Sequence, residues 1–419
     1  MSTRFRSIQM TRSVIAASVP ANRFQPPRDG ALRRMSLVAS QWSWRCVQVM
    51  SLVLLSAFVT VEPRAFAADV TWLGGASSAW SVGSNWLGGN VPASGDRLIF
   101  SDSFAVSRVS FNDFGASSTS QSVSISGSRA FDIDFNGAAL DGSQGVFNLN
   151  TGASSANTIR NLSFTGTTRQ TLESWGFQLV LQGVSGTAAT RTAGNATVIW
   201  SGSNSYSGPI SFERGAYSND SSIASTITQS NTSSILGGSG TFGNIVSFAG
   251  TIMPGSLFSS RGVLSASGSI ALGAFTTLRL QITSTGQGVG YDALVAGGTF
   301  DYGNAKLELD HLPLSPVPDG TMYQLFNAGS FVNNISSLTG LTRYGQGFTP
   351  PTFPGPDANG NWVSDVLYTG QTMKFFPSTG QLFVVPEPAS SVGIAGLLVA
   401  GHALRRQLRA RRRLRVRDI

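Results

Sequence analysis

The sequence predicts an all-β chain: a right-handed parallel β-helix, or solenoid, body flanked by an N-terminal signal peptide and a C-terminal single transmembrane helix. Three observations predict it. Charged residues make up 12% of the chain, against an ordinary ~25%, and glycine reaches 48 of 419 residues. Few charges with many small, β-branched and hydroxylated residues favour strands and tight turns over helices. Strand-like segments after residue 200 repeat one short pattern. Both ends of the chain are apolar blocks flanked by arginines.

In chain order, residues 1–67 read as leader and signal peptide. Arg33, Arg34 and Arg45 precede the apolar block Cys46 to Val61, and Ala65-Phe66-Ala67 follows it. Basic, then apolar, then small-x-small is the order of a secretory signal, with cleavage expected between Ala67 and Ala68. The leader is long, and Met35 is a candidate start. The only cysteine, Cys46, lies in this region. The body 68–383 therefore has no disulfide or thiolate chemistry.

Residues 70–100 form a tryptophan-rich N-terminal cap. Trp72, Trp80 and Trp86 are separated by Gly-Gly, Gly-Ser-Asn and Pro-Ala-Ser-Gly-Asp turns. The three indoles are expected to pack on one another and close the first coil; stacking on sugar rings is the alternative. Short strands follow at Ser122–Ile125, Ala130–Phe135, Gly145–Leu149, Phe177–Leu181 and Ala196–Trp200. Phe131-Asp132-Ile133-Asp134-Phe135 alternates strictly, which sends the apolar residues inward and both aspartates outward.

The repeat is Leu-x-x-x-Gly-[Ser/Thr]-[Phe/Ile], at Leu236 to Phe242, Leu264 to Ile270 and Leu294 to Phe300, with glycines 28 and 30 residues apart. A period in this range marks a solenoid. Residues 313–383 read as a closing region, in which Pro313, Pro316 and Pro318 break the strand Ala305–Leu312 and Gln381–Val385 makes a last strand.

Residues 384–419 form a tail. Pro386-Glu387-Pro388 precedes 16 mostly apolar residues, Ala389 to Leu404. Then come Arg405, Arg406, Arg409, Arg411, Arg412, Arg413, Arg415 and Arg417. A helix of that length spans roughly 24 Å. Arginine snorkelling fits such a helix to a bilayer core of ~30 Å. The arginines hold the C-terminal end in the cytoplasm, and a permanent tail anchor is the alternative.

This order of motif, span and arginines resembles the PEP-CTERM sorting signal of exported bacterial proteins. The resemblance implies a membrane handle recognised by an exosortase-type transpeptidase, with the secretory translocon and the membrane as further partners. Trp72, Trp80, Trp86, Pro92 and Asp96 resemble the opening of autotransporter-associated β-strand proteins. Gly202-Ser203-Asn204-Ser205-Tyr206-Ser207-Gly208 resembles the core of their repeat, and Leu236 to Asp310 resembles the coils that follow it, including Tyr291-Asp292-Ala293-Leu294-Val295. These imply a β-helix.

Composition and motifs narrow the chemistry. The net charge of +8 comes from the two arginine-rich ends, and residues 68–404 hold 12 basic and 18 acidic groups. A nucleic-acid partner therefore has no electrostatic motive. His311 stands beside Asp310, yet neighbours on a strand face opposite ways, so the pair does not make a triad. One histidine without cysteine nearly excludes zinc, and no cofactor motif is present. Asp132 and Asp134, about 6.5–7 Å apart on one face, are the best carboxylate pair for acid/base work on a polysaccharide. A solvated outer face is the other reading of the pair. The expected function is that of a non-enzymatic structural or adhesive protein of the cell surface or exopolysaccharide matrix. The alternatives are a β-helix lyase or hydrolase and a carbohydrate-binding surface protein.

Overall fold

The computed structural model describes residues 67–149, 156–176, 178–255, 260–311, 317–341, 351–365 and 371–386. They belong to one compact unit, Phe66–Ile419; the other, Met1–Ala65, lies outside the described residues. So do the apolar block 46–61, Ala65, Glu387, Pro388, the span 389–404, and Arg405, Arg406, Arg409, Arg411, Arg412, Arg413, Arg415 and Arg417. Among the described residues no helix is long and apolar enough to cross a membrane.

The described chain is nearly all β, dominated by one parallel sheet of 22 strands. Its helical pieces are three-residue turns such as Gly83–Asn85 and Gly115–Ser117. The sheet arises because each pass of the chain lays its strands in register on those of the previous pass. Val198, Tyr217, Leu236, Ile252, Leu278, Leu307 and Leu338 form one column by successive parallel pairings. Every member is buried. Adjacent strands lie ~4.8 Å apart, so each apolar side chain touches the ones above and below. Each pass also covers the open edge of the one before it, which removes a template for aggregation.

The passes differ in length. Leu236 pairs with Ile252, 16 residues on, whereas Leu307 pairs with Leu338, 31 residues on. This corrects the repeat read from the sequence. Leu264 does stack on Leu294, and Ile270 on Phe300. The first copy is out of step: Phe242 pairs with Ala266, and it is Ile245 that pairs with Ile270. Gly268 donates its N–H to Gly243, not to Gly240. Hydrophobic stacking sets the register here, and a pass five residues shorter satisfies it equally well.

The strand expected at Ser122–Ile125 lies within Thr119–Ser126, and those expected at Gly145–Leu149 and Ala196–Trp200 overlap Ala139–Asn148 and Thr197–Ser201, each missing by one residue at one end. Around residue 133 only Asp132–Asp134 is strand, while Phe131, Ile133 and Phe135 are all buried. At the N-terminal end Trp72, Trp80 and Trp86 are buried against Phe100. Trp72 and Trp86 meet edge-to-face at 4.9 Å, and Trp86 and Trp80 at 5.8 Å. The Trp72 indole donates to the Ser107 carbonyl and the Trp86 indole to the Trp80 carbonyl. No ring of this trio presents an open face to a sugar.

The segment Gly202 to Gly208 has a local physical account. Asn204 accepts from the Val184 amide at 2.8 Å and donates to Ser201 and Ser221, tying three passes together. Tyr206 is buried, with its hydroxyl donating to the Ala188 carbonyl at 2.5 Å, and burial pushes it up to about 12. Gly208 lies so close that a Cβ there would meet Ala188 O at 2.3 Å.

One glycine permits the close approach of two later passes. Gly303 has φ +51°, and a Cβ on it would fall 1.6 Å from the Leu272 carbonyl oxygen. Gly303→Ala is therefore expected to cost about 3 kcal/mol through backbone displacement. A melting-temperature shift measures it; an unchanged value would refute the close approach.

The C-terminal part changes direction. Met322–Gln324, Gln381–Pro386, Gln371–Phe376 and Trp362–Val363 form an antiparallel four-stranded sheet. Leu382 and Val384 are buried in it beside Phe375 and Met373. The last strand thus runs through Pro386, and Val384 and Val385 pair with Met373 and Thr372.

Candidate functional site

The outer face carries Asp132 and Asp134, and the fold engages both. The parallel register sets Asp134 opposite Arg160 and Arg160 opposite Gln182. Arg160 reaches back to grip Asp132 with two hydrogen bonds, Nε to Oδ1 at 2.8 Å and Nη2 to Oδ2 at 3.1 Å. Its Nη1 donates to Gln182 Oε1 at 2.8 Å, and Gln182 Nε2 donates to Ser201 at 3.1 Å. Asp134 Oδ1 accepts from the Asn136 amide at 2.8 Å and from Asn161 Nδ2 at 2.9 Å. The hydrogen bond to Asp132 holds the Arg160 guanidinium above its ordinary range. Such half-exposed pairs contribute about 1 kcal/mol or less each. What they do is pin register across passes. An acid/base pair needs one carboxyl free to give a proton to a leaving group; here both carboxylates act as acceptors in a ladder.

A second ladder lies further along. Arg191 Nη2 meets Glu213 Oε2 at 2.6 Å, and this contact lowers Glu213 and raises Arg191. Arg279 meets Glu308 in the same manner at 2.8 Å.

No family model matches this chain, and no curated protein matches it.

Two further acids lie inside the body: Asp310, weighed in the sequence only as a neighbour of His311, and Asp292, quoted there only as part of a repeat. Asp292 is fully buried and accepts from the Gly262 amide at 2.9 Å and the Gln281 amide at 2.7 Å. Burial pushes it up to about 7, and the charge of Asp310 adds to the rise while the two amides and Arg261 oppose it. Asp310 is likewise buried, in the strand Lys306–His311, where it pairs with Gln281 in the parallel register. The residue pattern around Asp292 is Tyr-Asp-Ala-Leu, and nothing in its alternation separates a buried aspartate from an exposed one. His311 pairs with Ile282 through the backbone. Among the described residues no group of three or more His, Cys, Asp or Glu could hold a metal ion.

Two features at the ends of the body concern the cleavage sites expected from the sequence. The Ala68 amide donates to Asp96 Oδ1 at 3.0 Å, and the Ala93 amide donates to its Oδ2 at 2.7 Å. Val70 is the first residue of the hydrophobic core. At the other end, Pro386 is the last residue of the closing strand. Ala67 and Ala68 thus stand outside the core, directly before its first strand, Asp69–Trp72.

Proposed function

We propose that this is an exported, non-enzymatic structural or adhesive protein of the cell surface or exopolysaccharide matrix of a Gram-negative bacterium. Its body is a right-handed parallel β-helix. A signal peptide directs it to the secretory translocon, and a PEP-CTERM tail with one transmembrane helix delivers it to an exosortase-type transpeptidase. The observation that carries the reading is how the body meets its two ends. The core begins at Val70, two residues past Ala68, and the closing sheet ends on Pro386, the first residue of the Pro386-Glu387-Pro388 motif. Cleavage at both sites would leave the folded body whole. It would also place the new ammonium of Ala68 against the Asp96 carboxylate, turning an amide hydrogen bond into an ion pair. Against the lyase or hydrolase reading stands the engagement of Asp132 by Arg160.

Intact mass of the native protein from the surface fraction tests the reading. The expected species begins at Ala68 and ends near Pro388. A mass that retains Arg405 to Arg417 would reject C-terminal processing, and one that retains the block 46–61 would reject the signal peptide.

A further inference from the structure

We propose that one corner of the large sheet binds acidic polysaccharide chains along its length. This gives the matrix role a surface and a ligand class, and it rests on that reading for the choice of polymer.

The corner follows from the strand registers. Glu173 pairs with Ala193, which brings Trp175 beside Asn195 of the next pass. Thr192 pairs with Phe212, so Arg214 follows at the same corner, and Phe212 pairs with Gln229, so Asn231 to Ser233 come after it. Gln229 pairs with Ser247 and Ser230 with Ala249, a register shift that leaves Phe248 unpaired and pushed outward. Ala249 pairs with Phe275. The ordered set Trp175, Asn195, Arg214, Asn231, Phe248 and Phe275 therefore climbs six successive passes, roughly 24 Å from end to end.

The chemistry along that line is uneven in a useful way. Trp175 is 45% exposed, Phe248 59% and Phe275 76%. The Trp175 indole donates to Glu173 Oε2 at 3.0 Å, which holds its ring in place. Between the aromatic ends lies an open trough of about 400 Å³, lined by Asn195, Arg214, Gly215, Asn231, Thr232 and Ser233. Arg214 makes no hydrogen bond or ion pair among the described residues; it acts on Glu213 only through its charge, while Arg191 holds Glu213 at 2.6 Å. A single exposed aromatic is ordinary. Three on one line, with an amide- and hydroxyl-lined trough between them, are not a protein-docking patch, whose centre would be apolar. They suit a ligand that is itself alternately apolar and polar: sugar rings present C–H faces to aromatic rings and hydroxyls to amides. The uncommitted guanidinium selects chains that carry carboxylates, which it can grip with two parallel hydrogen bonds.

Affinity electrophoresis of the purified full-length protein through gels holding polygalacturonate or dextran tests this. Retardation is expected in polygalacturonate only, and it should fall as salt is raised. Arg214→Gln should weaken binding about tenfold. The triple variant Trp175→Ala, Phe248→Ala, Phe275→Ala should weaken it tenfold or more, on the order of one stacked ring pair or more. Phe104→Ala, an exposed aromatic away from this corner, should bind as the parent does. The affected side chains are exposed, so equal melting temperatures check that the variants fold. Absence of retardation in polygalacturonate overturns the proposal, as does equal retardation in dextran, or variants that bind like the parent. A protein found in the surface fraction that ignores polygalacturonate overturns the corner alone. A protein never exported overturns the matrix reading while the gel still reports on the corner.

Discussion

Replacing Leu278 with alanine is expected to destabilise the body by roughly 3–5 kcal/mol, among the larger losses a single residue can cause here. Leu278 is fully buried in the middle of the column that runs from Val198 to Leu338. It pairs with Ile252 on one side and Leu307 on the other. Truncation opens a cavity between two passes that cannot close, because main-chain hydrogen bonds on both sides hold the strand spacing at ~4.8 Å. The loss is therefore the transfer term plus most of the cavity term. Chemical denaturation of the purified protein measures it. Leu278→Met, which keeps the volume, should cost less than about 1.5 kcal/mol. Equal effects of the two substitutions would mean that the column is not close-packed. An outward neighbour provides the contrast: Thr277, half-exposed in the same strand, should tolerate alanine with little change.

Stability is expected to fall as pH rises from about 5 to about 8, on the order of 3 kcal/mol, and to level off above that. The source is Asp292, which burial pushes up to about 7. Unfolded, the same carboxyl titrates near ~3.9. Between those values the folded protein holds a proton that the unfolded chain has released. The contribution to stability is therefore complete below about pH 4 and is lost as pH rises through the folded value. The groups facing Asp292 are the Gly262 and Gln281 amides, the Arg261 guanidinium and the Asp310 carboxylate. Asn at this position keeps the shape but cannot ionise. It turns one N–H donor toward an amide, a constant cost at every pH. Denaturation curves of parent and Asp292→Asn at pH 5 and pH 8 should thus differ in slope against pH, and subtraction removes whatever His311 contributes. Parallel pH profiles would show that Asp292 does not carry the effect.

Much of the inside-versus-outside pattern was legible in the sequence, for a local reason. In Phe131-Asp132-Ile133-Asp134-Phe135 each residue's face follows from the alternation of a strand, with no knowledge of any partner. The burial of all three apolar members agrees. The tryptophan trio was legible in the same way, since three indoles within 15 positions have few places to bury that much area except against one another. The candidate pair Asp132 and Asp134 was legible as a shared face, but its partner was not. Arg160 lies 28 residues away from Asp132, and only the register of stacked passes brings them to 2.8 Å. The exposed corner at Trp175, Phe248 and Phe275 was invisible for the same reason, as was the buried state of Asp292.

By itself the sequence determined that this chain is built of short strands and glycine turns, which side of each strand is apolar, and that its arginines gather at the two ends. Those are properties of neighbours along the chain. The tertiary structure alone decided which strand lies on which, that passes range from 16 to 32 residues, and that the last strands turn antiparallel. It had to, because register is chosen by the stacking of side chains across passes, and any loop length that lets them stack satisfies the same local pattern.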